Sequence, residues 1–150
     1  MIRITKEIDF EMAHVLYGYD GPCAGIHGHS YRLSVTVRGI PIPKGSKKNF
    51  GGAGLVIDFS DLKKIMNEKV ISVFDHALVI WNEVPLKNMK KEKWFCKNII
   101  RVPYQPTCEN LIVDFADRIK KQLPNNIDLI SVKLRETSST QAEWLAEENQ

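Results

Sequence analysis

Two stretches of alternating side chains, separated by a loop-forming segment, most constrain the fold of this chain. Apolar residues and one histidine take every second position of residues 2–14, interrupted only by Lys6: Ile2, Ile4, Ile8, Phe10, Met12 and His14. Residues 27–38 repeat the pattern with a second set on one face: His27, His29, Tyr31, Leu33, Val35 and Val37. Period-two alternation predicts half-buried strands. The intervening YGYDGPCAG favours a hairpin with a long loop.

Two helices are predicted further along the chain. Residues 39–54 are rich in glycine and form a loop, after which VIDFSDLKKIMNEKVISVF changes to a helical period. Asp58 or Ser60 is suited to cap this helix, whose apolar stripe is Leu62, Ile65, Met66 and Val70. The second helix lies within QPTCENLIVDFADRIKKQL, with Thr107 as its cap and apolar residues at helical spacing: Leu111, Phe115, Ile119 and Leu123.

The remaining sequence completes an α+β domain. LISVKLRET predicts a third strand with Ile130, Val132 and Leu134 inward, and AEWL predicts a short fourth strand or a tail. The order β-β-α-α-β-β indicates an antiparallel sheet with two helices on one face, in a single domain of residues 1–150. The first and last strands of such a sheet are open edges, which favour pairing with another copy of the chain.

Composition argues against several functions. Of the 150 residues, 43% are hydrophobic and 26% charged, and the formal net charge is +3. This is the balance of a soluble globular protein. The charge is too small to predict a nucleic-acid partner, although it would attract an anionic substrate. Three scattered cysteines form no disulfide framework, and no apolar run is long enough for a membrane. We expect a cytoplasmic protein without a targeting segment.

The histidines predict a metal site. His27 and His29 are two residues apart on one strand and share a face, and His14 ends the preceding strand. Pairing of the two strands brings the three imidazoles together. Three histidines leave one position of a tetrahedral zinc ion open, as in catalytic sites. The competing interpretation is that His27 and His29 are two partly exposed strand residues.

Two further features bear on chemistry. Cys23 is either a fourth zinc ligand or a base or nucleophile beside the metal, and its spacing does not choose between these roles. Cys96 and Cys108 are interpreted as inert thiols. Asp75 precedes His76, and a carboxylate can orient an imidazole and support its protonated form. Residues adjacent in sequence need not touch, however.

Six motifs in order resemble those of the 6-pyruvoyltetrahydropterin synthase superfamily: FEMAH, CAGIHGH, VIDFSDLK, DHALV, PTCEN and RET. The resemblance spans roughly residues 4–145. The short spacing from Cys23 to the HGH motif is similar to that of bacterial 6-carboxytetrahydropterin synthases. The resemblance implies the tunnelling fold, in which three subunits join their sheets into a twelve-stranded barrel and two trimers commonly stack as a hexamer. It also implies active sites between subunits.

The resemblance further implies roles for individual residues. His14, His27 and His29 would hold zinc, and Cys23 would accept a proton rather than bind the metal. Asp75 and His76 would form an acid/base pair, in some schemes working from the neighbouring subunit. Glu136 would bind the pterin, since a carboxylate accepts two parallel hydrogen bonds from an amino-pyrimidine edge. Thr107 would lie near the pterin as well as cap its helix.

The substrate implied by the resemblance is 7,8-dihydroneopterin triphosphate. The carboxy enzymes eliminate triphosphate and release acetaldehyde, leaving 6-carboxytetrahydropterin for the 7-deazaguanine route to queuosine. No organic cofactor is needed.

Three alternatives stay open at this point. The product could be the 6-pyruvoyl compound, in which the carbon–carbon bond survives. The protein could instead be a non-catalytic zinc- or pterin-binding protein in which Cys23 closes the metal site. The lysine-rich residues 87–97 raise a third alternative, RNA binding, although a solvated loop is the simpler interpretation of that segment.

Overall fold

The structure is a computed structural model that describes residues 1–45, 52–85 and 97–149. The predicted hairpin is confirmed. β1 (Ile2–His14) and β2 (His27–Gly39) pair antiparallel along their whole length, with His14 opposite His27. Most of the residues predicted to share the inward face are buried, namely Phe10, Met12, His14, Tyr31, Leu33, Val35 and Val37, whereas Ile2 is 52% exposed and Ile4, Ile8, His27 and His29 are half-buried.

Both predicted helices are confirmed. α1 (Phe59–Met66) begins at Asp58, whose carboxylate accepts a hydrogen bond from the backbone N–H of Ser60. The helix continues through a π-helical turn (Asn67–Ile71) into the short α2 (Ser72–Phe74).

The second predicted helix is α3 (Cys108–Lys120). Its cap is Thr107, whose hydroxyl accepts from the N–H of Asn110 at 3.3 Å. Three of the four predicted apolar residues are buried within the helix, and Leu123 lies beyond its end.

Among the described residues the sheet has six strands rather than four, and their order is β4 (Ile99–Val102), β3 (Ala77–Trp81), β1, β2, β5 (Asp128–Arg135) and β6 (Gln141–Leu145). β5 (Asp128–Arg135) and β6 (Gln141–Leu145) complete the predicted antiparallel part with β1 and β2. β3 (Ala77–Trp81) and β4 (Ile99–Val102) were not predicted; β3 pairs parallel with β1, and β4 pairs parallel with β3. The α+β class stands, with a short parallel extension beside the end of β1.

One inward-facing residue of β5 was predicted wrongly. Val132 and Leu134 are buried, but Leu129 is buried in place of Ile130, which is only half-buried. A register shift between Thr36 and Val37 of β2 explains the difference. Two residues of β5 oppose one of β2 there, and such a bulge reverses the alternation beyond it.

The helices cover one face of the sheet, as predicted. Phe115 of α3 packs edge-on against Phe10 of β1 and Phe74 of α2, with ring centroids 6.3 and 4.8 Å apart. The opposite face is polar and carries cross-strand pairs such as Arg32 with Asp9. In the described part of the chain, no helix is long and apolar enough to cross a membrane.

The open-edge prediction holds for β6 and for most of β1. β6 is the last strand of the sheet. β1 meets β3 only over Met12–His14, so among the described residues no strand lies beside residues 2–10 on that side. The segment 87–97 lies outside the described residues except for Lys97, and its prediction as a loop is untested.

Candidate metal centre and active site

The three predicted metal ligands come together at the open end of the hairpin. His14 ends β1, and His27 and His29 begin β2 on the same face. One ring nitrogen from each lies within 4.8 Å of the others. Gly28 lies between the two histidines of β2, where a Cβ would come within 3.0 Å of the carbonyl oxygen of Met12. The glycine therefore lets the two strands approach where the ligands converge.

Backbone carbonyls fix the orientation of two imidazoles. Nδ1 of His14 lies 2.7 Å from the carbonyl oxygen of Pro106, and Nδ1 of His27 lies 2.9 Å from that of Gly25. A carbonyl only accepts, so each Nδ1 carries the proton and donates. Each Nε2 is then left with a lone pair. Hydrogen bonding of the second ring nitrogen to a carbonyl is the usual support for a metal-binding histidine.

The distance between those lone pairs tests whether a metal ion fits. Nε2 of His14 is 3.0 Å from Nε2 of His27. Two lone pairs this close repel each other unless a cation lies between them. Tetrahedral zinc with bonds of about 2.0–2.1 Å holds its ligand atoms about 3.3 Å apart. The donor set and its spacing therefore suit a zinc ion.

The electrostatics of His14 also suit metal binding. His14 is only 2% exposed. Burial lowers its pKa, and the neighbouring His27 and His29 lower it further, against the hydrogen bond to Pro106 and the Glu136 carboxylate, which raise it. The neutral imidazole is the form that binds metals.

Cys23 lies in the hairpin loop that precedes His27 and outside the ligand group. It lies in a 3₁₀ turn (Pro22–Ala24) of the hairpin loop, half-buried and not in a disulfide. The group of mutually close ligand atoms contains the three histidines and not Cys23. Gln105 holds the base of this loop through two hydrogen bonds with the backbone of Tyr17, at 3.1 and 2.8 Å. This clamp was not predicted.

Cys108 differs from Cys23 in its surroundings. It is buried at the start of α3, and its thiol donates to the carbonyl of Leu134 at 3.3 Å. Burial, followed by the charge of Glu136, raises the pKa of Cys108 to about 11. The thiol therefore stays protonated at neutral pH, as expected for an inert cysteine. Cys96 lies outside the described residues.

Glu136 lies beside the histidines. Its Oε1 is 3.6 Å from Nε2 of His29 and 3.7 Å from Nε2 of His14, and its side chain is 22% exposed. The Tyr31 hydroxyl donates to the same oxygen at 2.9 Å. Burial and the Glu136 carboxylate strongly raise the pKa of Tyr31, so its hydroxyl remains a donor at every working pH. Sequence reasoning missed this contact, although Tyr31 shares the face of His29.

Asp75 and His76 do touch. Nδ1 of His76 is 2.9 Å from Oδ1 of Asp75, which also accepts from the backbone N–H of Glu11 at 3.0 Å. The side chain of His76 is 78% exposed. Its φ of 56° is in the left-handed region, which non-glycine residues rarely adopt. Such backbone strain is often found at functional positions.

The Asp75–His76 contact lies outside the group of mutually close metal-ligand atoms. His76 lines a cleft of about 390 Å³ with Glu11 and Ser30 of the exposed face of the hairpin, and His29 also borders this cleft. Side chains alternate across a strand, so Glu11 and Ser30 project away from the face of His14 and His29. Within one chain, the structure does not bring Asp75 and His76 into the cluster. Thr107 caps α3 and follows Pro106, whose carbonyl orients His14.

Solved structures identify the fold to which this arrangement belongs. The 6-pyruvoyl tetrahydropterin synthase of Caenorhabditis elegans superposes with a TM-score of 0.67 at 24% identity, covering 97% of this chain and 95% of the other. An uncharacterized protein from Wolinella succinogenes superposes with a TM-score of 0.76 at 18% identity, covering 97% and 98%. The chain thus has the tunnelling fold.

Sequence comparison gives the family. A family model described as 6-pyruvoyl tetrahydropterin synthase matches residues 3–147, and the chain belongs to this family of pterin synthases. It is 33% identical over 146 residues to the 6-carboxy-5,6,7,8-tetrahydropterin synthase of Haemophilus influenzae, covering 96% of this chain and 99% of the relative. The human 6-pyruvoyl tetrahydrobiopterin synthase is 28% identical over 149 residues, covering 91% and 86%.

Proposed function

We propose that this protein is a zinc-dependent lyase that converts 7,8-dihydroneopterin triphosphate and one water molecule to 6-carboxy-5,6,7,8-tetrahydropterin, with release of triphosphate and acetaldehyde. The observation that carries the proposal is the convergence of three imidazoles, in which backbone carbonyls hold Nδ1 of His14 and His27 and leave their Nε2 atoms 3.0 Å apart. Three histidine ligands leave a position for substrate. The name of the Haemophilus influenzae relative supports the carboxy product. We propose in addition that this product enters the 7-deazaguanine route to queuosine and that the protein acts in the cytoplasm.

Zinc bound by the three histidines would supply a Lewis acid that acidifies the side-chain hydroxyls of the substrate. Glu136, at the rim of the cluster, accepts hydrogen bonds from the amino-pyrimidine edge of the pterin and fixes its orientation. Thr107 follows Pro106, whose carbonyl orients His14, and from there it contributes to the same pocket. These contacts place the substrate side chain against the histidines.

Proton transfer falls to Cys23 and to the Asp75–His76 pair. Cys23, as thiolate, takes a proton from the substrate side chain at Sγ. Asp75 holds Nδ1 of His76 protonated, which leaves Nε2 to accept or return a proton. The chain itself supplies no oxidant, because the reduction of the pterin ring is balanced by oxidation of the side chain.

The location of Asp75 and His76 supports an active site shared between subunits. His76 is 78% exposed and lies outside the group of mutually close ligand atoms of its own chain, so we assign it to the metal centre of a neighbour. The open edge at residues 2–10 of β1 and the edge strand β6 suit pairing between copies. Three copies, each contributing β1, β2, β5 and β6, would form the trimeric barrel, and two trimers the hexamer.

Release of inorganic triphosphate tests the lyase proposal. Protein stripped of metal by a chelator should release none from 7,8-dihydroneopterin triphosphate, and added zinc should restore release. A protein that binds one zinc per chain and the pterin, but releases no triphosphate, would be the closed-site binding protein instead. If the protein keeps its zinc when a chelator is added under native conditions and shows no turnover, this result would also indicate a closed-site binding protein.

A further inference from the structure

Tyr31 fixes the position of Glu136. The tyrosine is fully buried, its ring stacks on Phe10 with centroids 5.4 Å apart, and it packs edge-on against His14 and His29. Its hydroxyl is the polar end of an otherwise apolar position, and a buried hydroxyl needs a hydrogen-bond partner. Glu136 provides it at 2.9 Å. Because the Tyr31 ring is held in the core, its hydrogen bond fixes the position of the Glu136 carboxylate.

In that position the carboxylate is close to two of the three ligand nitrogens. Oε1 of Glu136 is 3.6 and 3.7 Å from Nε2 of His29 and His14. Ligand atoms of one tetrahedral zinc ion are about 3.3 Å apart, and carboxylates are ordinary zinc ligands. Glu136 lies outside the group of ligand atoms within 4.8 Å of one another, so its carboxylate would have to move by roughly an ångström or more to close the site, a movement that side-chain rotation allows. The Glu136 carboxylate would then no longer be available to bind the pterin.

We propose that Tyr31 is a positioning residue that keeps Glu136 off the metal and available to the pterin. This inference rests on the proposed function. The hydroxyl occupies one lone pair of Oε1 and fixes the plane of the carboxylate. One lone pair of Oε1 and both of Oε2 remain for the amino-pyrimidine edge. The fourth metal position stays open because the oxygen nearest to it is already engaged.

Tyr31→Phe tests the inference, because it keeps the ring stack and removes only the hydroxyl. Zinc release to an excess of chelator should slow about tenfold, since Glu136 becomes a fourth ligand. Affinity for biopterin, followed by its fluorescence, should fall about tenfold or more. The two changes are opposite in sense: general damage to the core would speed zinc release and weaken pterin binding together.

Two variants serve as controls. In Tyr31→Phe combined with Glu136→Gln, zinc release should return at least to the wild-type rate, because a neutral amide does not replace the carboxylate as ligand. Tyr104→Phe removes a comparable bond, from the Tyr104 hydroxyl to Oδ2 of Asp114 at 2.5 Å, and should change neither readout.

Faster or unchanged zinc release in Tyr31→Phe, or unchanged biopterin affinity, would overturn the inference. Neither readout requires turnover. If the wild-type protein binds zinc and biopterin but releases no triphosphate, only the proposed function is overturned. The zinc-release rate and biopterin affinity of Tyr31→Phe, compared with those of the wild type, would still decide the role of the hydroxyl.

Discussion

Replacing His27 with alanine is expected to reduce bound zinc from about one ion per chain to a small fraction of that. His27 provides one of three converging nitrogens, and its Nε2 is 3.0 Å from that of His14. Loss of a direct ligand should weaken zinc binding by more than the ~10–100-fold typical of losing a second-layer hydrogen bond. Metal analysis after dialysis measures the loss, and triphosphate release should fall with it.

His76→Asn is the matched control for the His27 variant. It also removes an imidazole, but one outside the ligand group. Asparagine tolerates the positive φ of this position better than most residues. The variant should keep its zinc and lose about 10²–10⁴-fold in turnover, the range of general acid–base catalysis. Full zinc content in His27→Ala would contradict the assignment of the three ligands.

Replacing Cys23 with alanine is expected to leave zinc in place and lower kcat by about 10²–10⁴-fold, because a proton-transfer group is lost while the ligands remain. Cys23 lies outside the mutually close group of ligand atoms. Zinc content and steady-state turnover, measured on the same preparation, check both halves of this expectation.

Cys108→Ala provides the control for the Cys23 variant. Cys108 is the other thiol among the described residues, and it is buried against the carbonyl of Leu134. Its replacement should cost some stability through lost packing, with turnover close to that of the wild type. If Cys23→Ala instead lost its zinc and much of its thermal stability, Cys23 would be a fourth ligand and the site structural.

Sequence predicted the hairpin and both helices because their patterns have a single interpretation. One face of the hairpin is buried and the other polar, so the alternation in residues 2–14 and 27–38 is visible without the structure. Asp58 and Thr107 are both side chains that prefer helix starts, and both cap the predicted helices. The three histidines follow from the same alternation.

The missed strands lack such a pattern. Ala77, Leu78, Val79 and Ile80 of β3 are all buried, so no polar face marks the strand. A short apolar run of this kind cannot be told from a buried piece of helix by its period. β4 has four residues, too few to show a period. The bulge, because of which Leu129 rather than Ile130 is buried, depends on the pairing of two distant segments.

The site contacts that sequence missed depend on tertiary structure. Tyr31 and Glu136 are 105 residues apart, and only the pairing of β2 with β5 brings them together. Pro106 orients His14 from the start of α3, across 92 residues. Adjacency of Asp75 and His76 did not predict their contact, since it requires the unusual backbone conformation of His76.

Mass spectrometry of the products tests the central claim most directly. Zinc-loaded protein incubated with 7,8-dihydroneopterin triphosphate should yield 6-carboxy-5,6,7,8-tetrahydropterin and acetaldehyde in equal amounts. A 6-pyruvoyl product without acetaldehyde would contradict the carboxy assignment and leave the metal site in place. Unconverted substrate, with zinc bound and the oligomer intact, would contradict the lyase account as a whole.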